Sequence, residues 1–203
     1  MTTLLQSAPS GQQSHWRRNR ALYLLAAVCL APVIASYLMY YVLPPAGRTN
    51  YGDLIEPQRP TPPLFLRTTE GEPFDLSRLR GRWLLVKVDG AGCDQTCQRH
   101  LWLMRQLRTM QGKNADRIER VFLVADSGAL APALAREYAG THFLRAERAA
   151  LEAFLPAAAG TRLEAHLFLI DPIGNLMLRW PAQADPQRMK RDISRLLRAS
   201  RIG

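Results

Sequence analysis

The run Val86-Lys87-Val88-Asp89-Gly90-Ala91-Gly92-Cys93-Asp94-Gln95-Thr96-Cys97 decides the fold of this chain. It begins inside an apolar stretch, residues 83–88, that reads as a buried strand. Three small residues then form a turn, which delivers one thiol at the start of a helix and a second thiol four residues on. Residues four apart share a helical face, so their Cα atoms stand about 6 Å apart, within the span of a disulfide. The same two sulfurs suit a soft ion such as Cu(I). Redox chemistry and metal binding are therefore the two chemistries open to the pair.

On the C-terminal side, residues 93–110 carry Leu101, Met104, Leu107 and Met110 at helical spacing. Residues 121–124 read as a second buried strand, and residues 130–138 and 149–155 as short helices. Residues 167–170 and 176–180 form a late hairpin around Asp171-Pro172-Ile173-Gly174-Asn175. An amphipathic helix over residues 186–198 comes last, with Met189, Ile193, Leu196 and Leu197 on one side. Its cations (Arg188, Lys190, Arg191, Arg195, Arg198) read as a solvated face. Upstream, residues 64–67 and 70–74 read as a hairpin, and residues 75–81 as one helical turn closed by Gly81. A strand–helix–strand unit at the cysteines implies a parallel pair with a right-handed crossover. The fold class expected is α/β: a thioredoxin-like mixed sheet flanked by helices, with an N-terminal β-hairpin.

Residues 21–43 are 23 in number and uncharged, long enough to cross a bilayer core as one helix. Arg17, Arg18 and Arg20 precede them. The positive-inside rule then leaves the N-terminus in the cytoplasm and puts the rest of the chain outside, in a periplasm or its equivalent. A cleaved signal peptide has a shorter apolar core bordered by a small-residue cleavage site. Here the stretch runs on to Tyr40-Tyr41-Val42-Leu43-Pro44-Pro45, with tyrosines placed for an interfacial belt. Cys29 reads as a small apolar residue in lipid. The expected organisation is a cytoplasmic tail (1–20), a single transmembrane helix in the inner membrane (21–43), a Pro-rich linker (44–63) and an extracytoplasmic domain (64–203).

The formal net charge is +10, and three of the arginines precede the span. The exported part keeps 24 basic against 17 acidic residues, hence +7. No basic run is interleaved with aromatics, which argues against nucleic acid as a partner. An anionic membrane surface or an acidic redox partner fits such a surface better. Only two of the three cysteines face the exported compartment, and they are neighbours. Disulfide scaffolds need several spaced pairs, and closing so short a loop stabilises little. The pair reads as functional. At a helix N-terminus Cys93 is favoured as the attacking thiolate, with Cys97, one turn deeper, resolving.

The anchor, the linker, the CxxxC spacing and two further runs carry a resemblance. These runs are Phe74-Asp75-Leu76-Ser77-Arg78-Leu79-Arg80-Gly81-Arg82-Trp83 and Phe168-Leu169-Ile170-Asp171-Pro172-Ile173-Gly174-Asn175. Over about residues 60–200 the chain resembles the Sco/SenC family of membrane-anchored, thioredoxin-like proteins. The resemblance implies assistance in assembling the copper centre of cytochrome c oxidase, by Cu(I) delivery or by reducing the copper-site cysteines through the CxxxC dithiol. It further implies copper held by Cys93, Cys97 and a histidine, with the oxidase's copper-bearing subunit as partner. Two positions depart from the family. Gln98 replaces a proline after the second cysteine, and Leu163 stands where the third ligand belongs. His166, three residues later, is the candidate ligand, although on a straight strand it points to the opposite face.

A general extracytoplasmic thiol-disulfide oxidoreductase, acting on another thiol protein, is the alternative. Against it, no proline precedes the late strand at Ala165-His166-Leu167. A peroxidase would place Thr or Ser where Gly90 stands. A non-catalytic interaction module would have no use for both thiols. His100 is spaced to share the helical face of the cysteines but reads first as a solvated or capping helix residue, His142 reads as incidental near a strand start, and Trp83, Trp102 and Trp180 as packing aromatics.

Overall fold

The computed structural model describes residues 12–41 and 50–202. Two compact units divide the chain, Met1–Arg48 and Thr49–Gly203. The first contributes one helix, α1 (Gln12–Tyr41). Within its stretch Asn19–Tyr41 an 18-residue segment has a mean hydropathy of 2.1 and no residue of the stretch is buried, so by length and composition it suffices to cross a membrane. The helix begins ahead of the apolar span, so the stretch expected as a tail is helical from Gln12. Residues 1–11 of the expected tail, 42–43 of the expected span and 44–49 of the expected linker lie outside the described residues.

The second unit runs β1 (Asp53–Pro60), β2 (Leu66–Thr68), β3 (Pro73–Phe74), β4 (Trp83–Asp89), α2 (Gln95–Thr109), β5 (Ile118–Val124), α3 (Pro132–Glu137), β6 (Thr141–Arg145), α4 (Arg148–Phe154), β7 (Leu167–Ile170), β8 (Asn175–Trp180) and α5 (Pro186–Ala199). All eight strands join one sheet in the order β1-β8-β7-β4-β5-β6-β2-β3. Strands β4, β5 and β6 are parallel, joined by crossovers through α2 and α3. Strand β7 pairs antiparallel with β4, and β8 with β7. This is the mixed, thioredoxin-like α/β sheet that the sequence predicts, with the β2–β3 hairpin in place.

Two strands depart from the expectation. Residues 53–60, read as linker, form edge strand β1 against β8. The compact unit therefore opens at Thr49 rather than at residue 64. Residues 141–145 form β6, parallel to β5, a strand that the expected order of elements omits although His142 is placed near a strand start. Both carry weak strand signals. β1 is largely exposed and contains two prolines, which an edge tolerates. β6 has only two fully buried residues in five.

Alternation along the strands sorts the core into two layers. Trp83 and Leu85 of β4, Phe122 and Val124 of β5, and Leu167 and Leu169 of β7 pack with α2, α3 and α5. Leu84, Val86 and Val88 of β4 and Phe168 and Ile170 of β7 pack with α4 on the other face.

One buried carboxylate ties the chain's approach to this core. Asp192 of α5 accepts from the backbone amides of Tyr51 (3.0 Å) and Gly52 (2.9 Å) and from Trp180 Nε1 (3.1 Å). Gly52 lies so close to the Trp180 ring that a Cβ there would stand 2.9 Å from it. Removing the acceptor leaves three donors unpaired. Asp192→Ala is expected to destabilise the domain by about 2–4 kcal/mol, and Asp192→Asn by less, read from urea denaturation.

Candidate functional site: the Cys93–Cys97 pair

Strand β4 ends at Asp89, and Gly90-Ala91-Gly92 carries the chain to the first cysteine. Asp126, in the loop after β5, fixes this approach. Its carboxylate accepts from the amide of Ala91 through both oxygens (3.1 Å each) and from the amide of Gly128 (3.0 Å). Gly90 passes so near that a Cβ there would stand 2.5 Å from Asp126 Oδ2. Arg145 of β6 holds the same loop by donating to the carbonyls of Asp126 and Gly128. Sequence reasoning missed Asp126, which lies 33 residues past Cys93 with no local pattern to mark it.

Cys93 comes next, with φ 29°, the left-handed region that non-glycine residues rarely enter. The N-cap of α2 is Asp94, whose side chain accepts from the Cys97 amide at 2.9 Å. Asp94 thus caps the helix, a common role for Asp at that position, and Cys93 stands one residue ahead of the cap. Gln98 donates to the Cys93 carbonyl at 3.1 Å, so the residue that departs from the Sco pattern also closes this turn. Cys93 and Cys97 form a disulfide with Cα atoms 5.1 Å apart. Cys93 is 5% exposed and Cys97 0%, so the little access there is belongs to Cys93.

His166 does not join them. Its backbone is extended and leads directly into β7, so alternation puts it in phase with Phe168 and Ile170, away from the face that holds the cysteines. The ring is buried and engaged at both nitrogens: Nδ1 with the Trp180 carbonyl at 2.9 Å, Nε2 with the Thr161 hydroxyl at 2.6 Å. Leu163 is packed into the opposite core layer. Among the described residues, no group of three or more His, Cys, Asp and Glu is arranged to hold a metal ion. The two sulfurs, once reduced, are soft donors of the kind that suits Cu(I), and the His166 ring is engaged by Trp180 and Thr161 rather than placed beside them.

The remaining histidines and tryptophans have other roles. His100 is buried rather than solvated, because α2 turns it inward with Cys97 and Met104. Burial above all, and then the charge of Lys87, hold its imidazole neutral with a pKa of about 4. His142 lies on β6, 3.5 Å from Glu119. Trp83 and Trp180 are core residues, whereas Trp102 stands half exposed on the outer side of α2. A cleft of about 260 Å³, lined by residues including Leu64, Leu76, Arg80 and Leu84, lies at the opposite end of β4 and contains neither cysteine.

A central β4 that runs into a dithiol turn, with α2 laid over the sheet, defines a thioredoxin-like protein with a disulfide at the head of its first crossover helix. The chain belongs to the transmembrane-like, thioredoxin-like, C-terminal domain family, which matches residues 83–200. No curated protein matches the sequence. Among solved structures, Arabidopsis thaliana ScoI with copper bound shares 14% identity and a TM-score of 0.56, covering 69% of this chain and 99% of that one. Yeast Sco1 with copper bound gives 16% and 0.54, covering 70% and 90%. BsSco, described as a Sco-family cytochrome c oxidase assembly protein with a disulfide switch, gives 14% and 0.54, covering 73% and 98%. These likenesses bear out the resemblance to Sco proteins at the level of the fold.

Two outcomes test the site. Gly90→Ala is expected to displace Asp126 and destabilise the domain, yet to cost little when Asp126→Ala has already cleared the space. A double-mutant cycle on urea midpoints should give a coupling of about 1 kcal/mol. The second concerns pH. The folded state holds His100 at a pKa of about 4 against an ordinary 6.5. As pH falls below 6.5, only the unfolded chain takes up that proton, so stability is lost towards pH 4 and levels off below it. His166, whose pKa burial also lowers, adds to the same slope. His100→Gln should flatten the slope in that window while leaving the His166 part, measured by denaturation midpoints across pH.

Proposed function

We propose that this chain is a membrane-anchored, Sco-like protein that assists copper-centre assembly of cytochrome c oxidase. In this reading it reduces the copper-site cysteines of the receiving subunit through the Cys93/Cys97 dithiol. The observation that carries this reading is the close Cys93–Cys97 pair at the head of α2, set apart from a His166 whose two nitrogens are already engaged. That arrangement favours the dithiol route over a histidine-ligated copper store. Helix α1 serves as the anchor, with the arginines ahead of the apolar span on the cytoplasmic side of the inner membrane and the domain in the periplasm.

Reduced, Cys93 stands before the positive end of α2, which favours its thiolate. The thiolate attacks one sulfur of the target disulfide, and the other target sulfur leaves with the electron pair. Cys97, shielded and one helical turn on, then attacks Cys93 Sγ and releases the target as a dithiol. The Cys93–Cys97 disulfide that results is returned to the dithiol by an upstream thiol donor. Copper enters as cargo rather than as a resident cofactor, since two soft thiolates can take up Cu(I) without a third ligand.

Anaerobic Cu(I) titration against a chelator and disulfide exchange with an oxidised copper-site peptide of the oxidase subunit test the proposal together. Cys97→Ser is expected to accumulate a mixed disulfide with the peptide, and Cys93→Ser none. Any Cu(I) binding should vanish in the double cysteine variant and be unmoved by His166→Ala. Exchange with any exposed disulfide at equal rate would instead favour a general oxidoreductase. Tight Cu(I) binding weakened by His166→Ala would restore the histidine-ligated copper site.

A further inference from the structure

Lys87 is 0% exposed in the middle of central strand β4. Alternation puts it in phase with Trp83 and Leu85, which pack beneath α2. Its register partners, Phe122 on β5 and Leu167 on β7, belong to the same layer. Cys93 and Cys97 belong to it as well. A buried ammonium therefore lies on the sheet face that carries the disulfide.

The ammonium is fully engaged. It donates to the Val88 carbonyl (2.8 Å) and to the Glu164 carbonyl of the 3-10 turn Leu163–Ala165, and it pairs with Asp89 at 2.8 Å. Asp89 Oδ1 accepts in turn from the amide of Gly90, the first residue of the approach to Cys93. The charges of Asp94, at the head of α2, and of Glu164 also bear on Lys87. Lys87 in turn helps hold both His100 and His166 neutral. Arg120, the other buried cation in phase with this layer, stands beside Leu85 and donates to the Ala139 carbonyl. Burying an ammonium costs several kcal/mol before its partners offset it, and an apolar side chain of similar volume would fill the space without that cost. Packing alone does not call for a cation here.

We infer that Lys87 is an electrostatic positioning residue for the cysteine pair, stabilising the negative charge that appears on sulfur when the disulfide is opened by a dithiol. This inference rests on the thiol–disulfide reading above. In the step, a donor thiolate bonds to one sulfur of the pair, the Cys93–Cys97 bond breaks, and the electron pair leaves on the other sulfur. The donor's second thiol then closes the donor disulfide. The pair has gained two electrons and keeps one proton, and the donor's other proton goes to solvent. Asp89 acts in the opposite sense by partly cancelling the ammonium.

The test equilibrates the full chain in detergent with reduced and oxidised dithiothreitol at fixed pH, and reads the reduced fraction by alkylation and mass. Lys87→Met should lower the equilibrium constant for reduction about tenfold, equivalent to roughly 30 mV. Asp89→Asn, which keeps the ammonium and removes its counter-charge, should raise it. Opposite shifts are what loosened packing would not produce. Lys87→Gln, which removes the charge but keeps a polar side chain, replaces Lys87→Met if that variant does not fold. Wild type that equilibrates while the variants show no shift, or shifts of the same sign, would overturn the role of Lys87 and leave the dithiol reading standing. Wild type that does not exchange with the dithiol at all would overturn both.

Discussion

Side chains along β4 and β7 alternate between the two faces of the sheet, and the arrangement of the site depends on that alternation. β4 is central and buried on both faces, so each of its residues is committed to one helical layer or the other. Cys97 joins the α2 layer because α2 lies over Trp83, Leu85 and Phe122. His166 is lost to the cysteines for the same reason, being one step out of phase with Leu167. A one-residue shift would exchange the two outcomes. The chemistry of the pair is thereby decided by sheet register more than by the identity of nearby residues.

Around this frame, carboxylates gather backbone amides. Asp126 holds Ala91 and Gly128, Asp192 holds Tyr51 and Gly52, and Asp171 Oδ1 accepts from the amides of Ile173, Gly174 and Asn175. Each joins segments or closes a turn. A hydrogen bond to a charged acceptor is stronger than one between neutral groups, and a buried donor left unpaired is costly. The irregular parts of the domain are thus specified almost as firmly as the sheet, including the approach to Cys93.

Much of the fold is legible in the sequence because its central elements have strong periods. β4 is a continuous apolar run, α2 and α5 have clear helical spacing, and the β7–β8 turn is built from Asp, Pro, Gly and Asn. β1 and β6 were not legible. One is an edge with prolines whose pairing depends on β8, far along the chain, and the other is a short strand that gains its place from β5. At the site, the two cysteines and the opposed phase of His166 could be read from spacing. The role of Asp126 and the isolation of His166 by Thr161 and Trp180 could not, because each depends on contacts made only after folding. Asp94 is an intermediate case, since an Asp ahead of an apolar helical run is a capping signal.

The two outermost strands, β1 and β3, have a consequence for life in a crowded compartment. Pro57 and Pro60 sit on β1, which for most of its length is exposed, and β3 is only two residues long. A proline offers no amide hydrogen, and a two-residue strand offers almost no template. The two prolines and the shortness of β3 thin out the amide donors at both margins of the eight-stranded sheet. Addition of a neighbouring molecule's strand is thereby disfavoured at either edge.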